Sequence, residues 1–284
     1  MEQKMPVEGP EVKRMVNSLQ VVEGKLITNV SIVGGRYARG MAHDIDRLTG
    51  ARLTHVLSKG KLITFYFSKE NEIPFAALNT IGAFGQWVVL DKEEHELDKY
   101  RRIEFQFEDG TTIAFFDVRN FSTFRVVSFA EAKRKQTELG PDILADPRLW
   151  AAIALPEFIT RVARFAKNQT LADGLLDQRI CSGCGVYVRS DAMYLARLSP
   201  HQPMAGMSDA DLARIWRALH VIAVHSVLNE APPTAIKTLP YPRCEGREFS
   251  NLVYQKTESP AGLPIEMSID NDRRPVYWSP AEQF

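Results

Sequence analysis

Cysteine is scarce in this chain of 284 residues: there are three, Cys181, Cys184 and Cys244. Three unevenly spaced thiols cannot build a disulfide framework. A reducing interior, cytoplasmic (nucleoid) or nuclear, is the simpler setting. An excess of either charge is also missing, with 35 Lys and Arg against 35 Asp and Glu. That balance weighs against a globally basic nucleic-acid binder, because phosphate binding draws on positive charge. It leaves room for a local basic face. No run of about 18 apolar residues is present, which excludes an ordinary transmembrane helix. The N-terminus lacks the apolar core of a signal peptide, so neither membrane nor export is expected. Internal repeats and low-complexity segments are absent. With 45% hydrophobic residues the chain can bury a sizeable core, as one large domain or two ordinary ones.

What is present begins with short strands. Lys25 to Tyr37 alternates, with Leu26, Thr28, Val30 and Ile32 on one side, until Gly34-Gly35 interrupts it. Arg52 to Leu57 and Lys61 to Phe67 read as a hairpin across Ser58-Lys59-Gly60. Phe75 to Thr80 and Gln86 to Leu90 read as a second pair across Ile81–Gly85. Arg101 to Phe107 and Thr111 to Phe116 form a third across Glu108-Asp109-Gly110. Phe121 to Val127 adds one more strand. Regular short strands with turn signals predict a β-sandwich up to about residue 130.

The pattern then becomes helical, over Phe129 to Leu139, Pro156 to Ala166, Leu171 to Gln178 and Arg189 to Ala196. Ser208-Asp209-Ala210-Asp211 caps a long helix with Leu212, Ile215, Leu219 and Ile222 on its apolar face. From Phe249 strands return: Leu252 to Gln255, Leu263 to Ile269 and Val276 to Trp278. A connector with Pro232-Pro233 and Pro240-Tyr241-Pro242 precedes them. The fold class is α+β. Residues 1–130 form a helix plus sandwich, 131–230 a helical domain, and 231–284 a connector and terminal hairpin.

The N-terminal stretch Met5-Pro6-Val7-Glu8-Gly9-Pro10-Glu11 holds the most chemistry. Pro10 suits a first helical turn, where no amide donor is needed. Val12, Met15, Val16 and Leu19 then follow at helical spacing. Glu8 and Glu11 sit near the positive end of that helix, where carboxylates are stabilised. If the chain starts at Met5, removal of that Met frees Pro6 as a secondary amine able to attack an electrophilic sugar carbon. The plain alternative is an acidic cap on a surface helix.

Seven blocks in order resemble the formamidopyrimidine-DNA glycosylase and endonuclease VIII family. Glu8-Gly9-Pro10-Glu11-Val12 resembles its N-terminal signature, and Lys59-Gly60-Lys61 its hairpin with a DNA-facing lysine. Asn79-Thr80-Ile81-Gly82 with Gly85 resembles the loop that fills the space of an extruded base. Asp117-Val118-Arg119-Asn120-Phe121 resembles the second intercalating loop, and Leu139-Gly140-Pro141-Asp142 the opening of the helical domain. Leu175-Leu176-Asp177-Gln178, Gly183-Cys184-Gly185 and Tyr187 resemble the helix–two-turn–helix element. Arg274-Pro275-Val276-Tyr277-Trp278-Ser279-Pro280 with Gln283 resembles the end of the family's finger.

The resemblance implies a bifunctional DNA glycosylase and AP lyase of base excision repair, acting as a monomer on duplex DNA with an oxidised base or abasic site. Pro6, in preference to Val7, supplies the amine, Glu8 shuttles protons, and Glu11 helps the sugar ring open. Lys61 and Arg274 hold phosphates. Arg119 and Phe121 give a donor fork and an aromatic wedge, flanking Asn120, and Tyr187 lies on the DNA-binding helix pair. For each charged residue alone, a surface salt bridge or solvated charge is the simpler reading. The short connector between Asn229 and Phe249 points, by family analogy alone, to a pyrimidine-type pocket.

The family finger usually holds zinc through four cysteines. Here Pro260-Ala261-Gly262, Ser279 and Glu282 stand in their place, and no cysteine follows Cys244. The finger therefore resembles the zincless type, with strand pairing and Trp278 packing replacing the metal, and no cofactor is expected. Cys181 and Cys184 have ligand spacing but no second pair nearby, and read as small apolar residues in tight turns. His201, His220 and His225 read as structural. Three departures stand out: Val7 inserted between Pro6 and Glu8, Val186 in place of a phosphate-binding Asn, and Ala83 in place of a larger void-filling side chain. They support two rivals on the same scaffold: a damaged-DNA binder without excision, and an enzyme that modifies a flipped base.

Overall fold

The computed structural model describes residues 6–35, 37, 45–82, 84–90, 97–146, 150–234 and 247–284. Met5, Ala83, Cys244 and Pro240-Tyr241-Pro242 lie outside the described residues. The chain divides into two compact units, Met1–Val7 with Glu11–Thr137, and Glu8–Pro10 with Glu138–Phe284. Among the described residues no helix is long and apolar enough to cross a membrane.

The first unit is a sandwich of two antiparallel four-stranded sheets. β1 (Ile27–Ile32), β6 (Arg101–Phe107), β7 (Thr112–Asp117) and β5 (Gly85–Val89) form one sheet in that order. β2 (Arg52–Lys59), β3 (Leu62–Ser68), β4 (Phe75–Thr80) and β8 (Thr123–Ser128) form the other. Inward-facing aromatics from both sheets meet in the middle. Phe65 of β3 and Phe124 of β8 pack on Trp87 of β5 at 5.1 and 6.3 Å, and Phe105 and Phe115 complete the cluster around the indole. Such rings bury large areas and prefer tilted or edge-on contacts. Helix α1 (Gly9–Leu19) covers this core with Val12, Val16 and Leu19, while Met15 is only partly buried. Helix α2 (Phe129–Glu138) ends the unit.

One expected hairpin is not formed. β4 and β5 follow each other in the chain but belong to different sheets, with β4 between β3 and β8 and β5 beside β7. Their connector crosses from sheet to sheet, so its loop stands at the rim of the sandwich. Alternating residues identify a strand face but not the neighbouring strand.

The second unit is helical with a terminal hairpin. A π-turn at Trp150–Ala154 leads into α3 (Leu155–Phe165), followed by the short α4 (Leu171–Gly174). Thr170 caps α4 in a capping box with Asp173. α5 (Val186–Ala196) and α6 (Asp209–Leu228) complete the set, with Ser208 as the expected cap of α6. Every residue of α5 from Tyr187 to Ala196 is buried. β9 (Glu266–Ile269) and β10 (Pro275–Trp278) pair antiparallel.

A second correction concerns Leu252 to Gln255, expected as a strand. The segment is a turn, with Gln255 at φ 57°. The buried Asp191 carboxylate on α5 accepts the amides of Leu252, Val253 and Tyr254 at 2.9, 2.9 and 3.0 Å. Three backbone donors gathered on one carboxylate satisfy what a sheet partner otherwise would. Cys181 and Cys184 are buried, their thiols directed to the carbonyls of Leu175 and Gly185.

Candidate active site

The motif around Glu8 is built in by close packing on the turn before α5. Gly9 N–H donates to the Gly183 carbonyl at 2.8 Å. A Cβ on Gly9 would stand 2.8 Å from that same oxygen, so the approach requires glycine. Gln178 braces the turn from inside, accepting from Gly183 N at 2.9 Å and donating to the Cys184 carbonyl at 3.0 Å.

The Glu8 carboxylate is 1% exposed and accepts the amides of Tyr187 and Val188 at 3.1 and 3.2 Å. These are amides of the first turn of α5, where donors lack intrahelical partners and the helix dipole favours an anion. A Cβ on Gly185 would lie 2.1 Å from the Glu8 carboxyl carbon, so a side chain there would displace the carboxylate. Tyr254 lies close by: burial first, then the charge of Glu8, pushes its hydroxyl up to about 12.

In the first unit a cavity of about 530 Å³ is lined by Val7, Glu11, Arg14, Met15, Phe84 and Trp87, among others. Pro6 is not among its lining residues. Glu11 and Arg14 form an ion pair at 2.8 Å on the α1 face of this cavity. The volume is that of an ordinary small-molecule site.

Two loops at the rim of the sandwich carry the remaining candidates, and a buried polar set ties them together. Asp117 Oδ2 accepts from Tyr37 Oη at 2.8 Å and from Ser122 N at 3.0 Å. Ser122 Oγ in turn accepts from Gly82 N at 2.9 Å. Asn79 accepts from Trp87 Nε1 at 2.8 Å and donates to the Thr123 carbonyl at 2.6 Å. The Lys61 carbonyl accepts from Ile81 N at 3.1 Å, joining the β2–β3 turn to the same assembly. On this base Phe121 stands 67% exposed, and the exposed Arg119 guanidinium lies 4.4 Å over the Phe84 ring.

Not every candidate side chain faces outward. Asn120, at φ 55°, accepts from Arg102 Nε at 2.9 Å and serves the loop itself. Tyr187 is fully buried, its ring beside Phe249 and Tyr254 and its hydroxyl 2.9 Å from Ser226 Oγ. Lys61 is half-buried, and Arg274 is exposed at the tip of the β9–β10 hairpin. Tyr37, Asn79, Asp117 and Ser122 act as supports that sequence reasoning did not single out for this task. Asn79 and Asp117 stand at the head of two of the resembling blocks, whereas Tyr37 and Ser122 carry no mark beyond a polar group in an otherwise apolar stretch.

The hairpin tip is equally well defined. Asp270 Oδ1 accepts from Asp272 N at 3.0 Å and Arg274 N at 2.7 Å. Its other oxygen pairs with Arg189 at 2.7 Å, the two side chains being 2% and 0% exposed. Arg189 also donates to the carbonyls of Ala172 and Pro275. Asp173 binds Asn271 through both its amide and its side chain.

Comparison with known proteins fits this geometry. Residues 5–124 match the model of the formamidopyrimidine-DNA glycosylase N-terminal domain. The chain is 28% identical to a formamidopyrimidine-DNA glycosylase of Listeria monocytogenes, over 94% of this chain and 96% of that one. It is 26% identical to endonuclease 8 of Escherichia coli, over 97% and 99%. Among solved structures, the MutM (Fpg) protein of Thermus thermophilus superposes with a TM-score of 0.73 at 25% identity, over 98% of each chain. Lactococcus lactis Fpg in complex with abasic-site DNA gives 0.75 at 18%, over 98% and 99%, a likeness of fold. Over nearly its whole length the chain thus resembles the formamidopyrimidine-DNA glycosylases and endonucleases 8.

Proposed function

We propose that the chain is a DNA glycosylase with AP lyase activity that removes oxidised bases from duplex DNA. A free amine at the head of the Pro6-Val7-Glu8 segment attacks C1′ of an extruded nucleotide. The glycosidic bond breaks, and its electron pair leaves with the base, which takes up a proton. The amine gives up its proton as the sugar ring opens to an iminium. Loss of a C2′ proton then expels the 3′ phosphate and cuts the strand. Glu8 moves these protons, and Glu11 delivers one to the ring oxygen. Lys61 and Arg274 hold phosphates, while Phe121 and Arg119 fill the place the nucleotide leaves. The DNA partner is carried over from the Lactococcus relative, which is bound to abasic-site DNA.

The observation that carries this reading is the fixing of Glu8. A carboxylate held on two helix amides directly follows Val7, which lines a cavity together with Glu11. Such fixing places an acid/base group without cost at the moment of reaction.

A second reading has its own support. Val7 rather than Pro6 lines the cavity, and its nitrogen is acylated by Pro6. Val186, at the start of α5, has no side-chain donor. A damaged-DNA binder without excision matches both facts.

Borohydride trapping on a duplex with an abasic site separates the two. Three forms are compared, beginning at Met1, Pro6 and Val7, each verified by mass. A covalent adduct from the Pro6 or Val7 form, absent from the Met1 form, identifies the amine. No adduct from any form, with duplex binding intact, removes the lyase reading and leaves the binder.

A further inference from the structure

A hairpin of two four-residue strands is marginal in water and needs an anchor. In the family that anchor is a zinc ion at two pairs of cysteines. This chain lacks those ligands: Ser259-Pro260-Ala261-Gly262 stands at one end, Ser279 and Glu282 at the other. Two hydroxyls, a glycine and one carboxylate do not fit a structural zinc, which takes thiolates and imidazoles. Moreover, the Glu282 carboxylate is already engaged with a guanidinium, that of Arg197.

The structure shows what stands in the same place. Glu282, Ser259 and Ser279 are all buried. Glu282 Oε1 accepts from Tyr194 Oη at 2.9 Å and from Arg197 Nη1. Burial alone would raise the Glu282 carboxyl, but bonds from Ser259, Arg197 and Tyr194 outweigh it and hold the group below its ordinary value. Next to it, Gln283 accepts from Ser279 N at 2.8 Å and donates to the Leu198 carbonyl at 2.9 Å. Tyr194 and Arg197 lie one turn apart at the end of α5, with Arg197 as its left-handed cap.

The same helix grips the other end of the hairpin through Arg189 and Asp270. Arg189 and Arg197 are separated by about 12 Å of helix rise, close to the length of a four-residue strand. α5 thus holds the hairpin at both ends: the turn bearing Arg274 sits at the Arg189 grip, where Asp270 also accepts from Arg274 N, and the two strands run from there to the Glu282 grip.

We propose that Glu282, gathering Arg197 and Tyr194, takes over the mechanical task of the family's metal and is a positioning residue for Arg274. The consequence for DNA rests on the function proposed above; the anchoring does not.

Hydrogen exchange on the full chain tests the anchor without DNA. In Glu282→Gln the cross-strand amides of Glu266, Ser268, Val276 and Trp278 exchange about tenfold faster or more, the scale of a lost charged hydrogen bond, while β2–β8 keep their protection. Tyr194→Phe gives a smaller change in the same amides and serves if Glu282→Gln does not fold. A zinc chelator leaves the parent chain unchanged. Unaltered hairpin exchange in both variants, or hairpin melting by chelator, overturns the proposal.

Affinity for a duplex with a tetrahydrofuran abasic analogue tests the positioning. Glu282→Gln weakens it about tenfold in the parent chain and not at all in an Arg274→Ala background. Additive losses overturn the link to Arg274. If the parent chain does not bind this duplex, the DNA reading falls while the exchange experiment still decides the anchor.

Discussion

The two compact units solve the problem of a stable interior in opposite ways. The sandwich packs Phe65, Trp87, Phe105, Phe115 and Phe124 into one aromatic cluster, and its buried polar residues are gathered beneath the rim loops. The helical unit is threaded with buried charge: Glu8 on the amides of α5, Arg189 with Asp270, Asp191 on a turn, and Glu282 with Arg197. An apolar core stabilises by area and tolerates imprecise geometry. A buried charge stabilises nothing unless its partner is in place. The helical unit therefore gains fixed positions for the hairpin and for Glu8, and it is sensitive to the loss of any single partner.

The largest effect expected from this contrast is in the helical unit. Arg189→Met leaves the Asp270 carboxylate buried without its cation and should cost roughly 3–5 kcal/mol in urea unfolding. Adding Asp270→Asn removes the stranded charge while keeping an oxygen for the turn amides, and should recover a large part of the loss. Failure of that recovery would mean the pair acts through packing, as the sandwich does.

A smaller loss is expected in the sandwich. Phe105→Leu should cost about 1–2 kcal/mol by leaving a cavity beside Trp87. Its signature is faster hydrogen exchange confined to β1–β8, with the hairpin amides unchanged. Equal loosening of the hairpin would break the separation of the two units.

The gentlest test is pH. Burial pushes the Asp191 carboxyl up to about 6, against an ordinary value of 3.8. Between those values the folded chain holds a proton that the unfolded chain has lost. Its contribution is thus full below 3.8 and is lost as pH rises through about 6, with a slope of at most ~1.4 kcal/mol per pH unit. Relative to Asp191→Asn, the parent chain should gain stability as pH falls from neutral towards 4. A difference that stays flat over this range would mean that the amide bonds from Leu252, Val253 and Tyr254 offset the burial of the carboxyl.

Much of the sandwich was legible in the sequence. Among the described residues the sandwich strands stand where the sequence puts them: β2, β6 and β8 by alternation, β3, β4 and β7, buried on both faces, as short apolar runs between turn residues. The pairing of β4 with β8 and of β5 with β7 was not legible, since a strand carries no mark of its neighbour. The turn at Leu252–Tyr254 read as a strand for a related reason: its apolar residues are real, but the carboxylate that bends them lies 61 to 63 residues away. At the candidate site the Glu8–Glu11 motif, Phe121 and Arg119 stood out as residue types. That Glu8 caps a helix 179 residues further on did not.

By itself, then, the sequence determined the α+β class, the positions of the sandwich strands and of the long last helix, the family resemblance, and the lack of thiols for a metal in the terminal hairpin. Each of these follows from local periodicity or from residue chemistry in order along the chain. Only the tertiary structure decided that Tyr187 and Asn120 serve the interior, that Val7 lines a cavity with Glu11, and that α5 holds the hairpin through Arg189, Tyr194 and Arg197. The physical reason is that a buried charge is defined by its partner, and partners distant in sequence are brought together only by the fold.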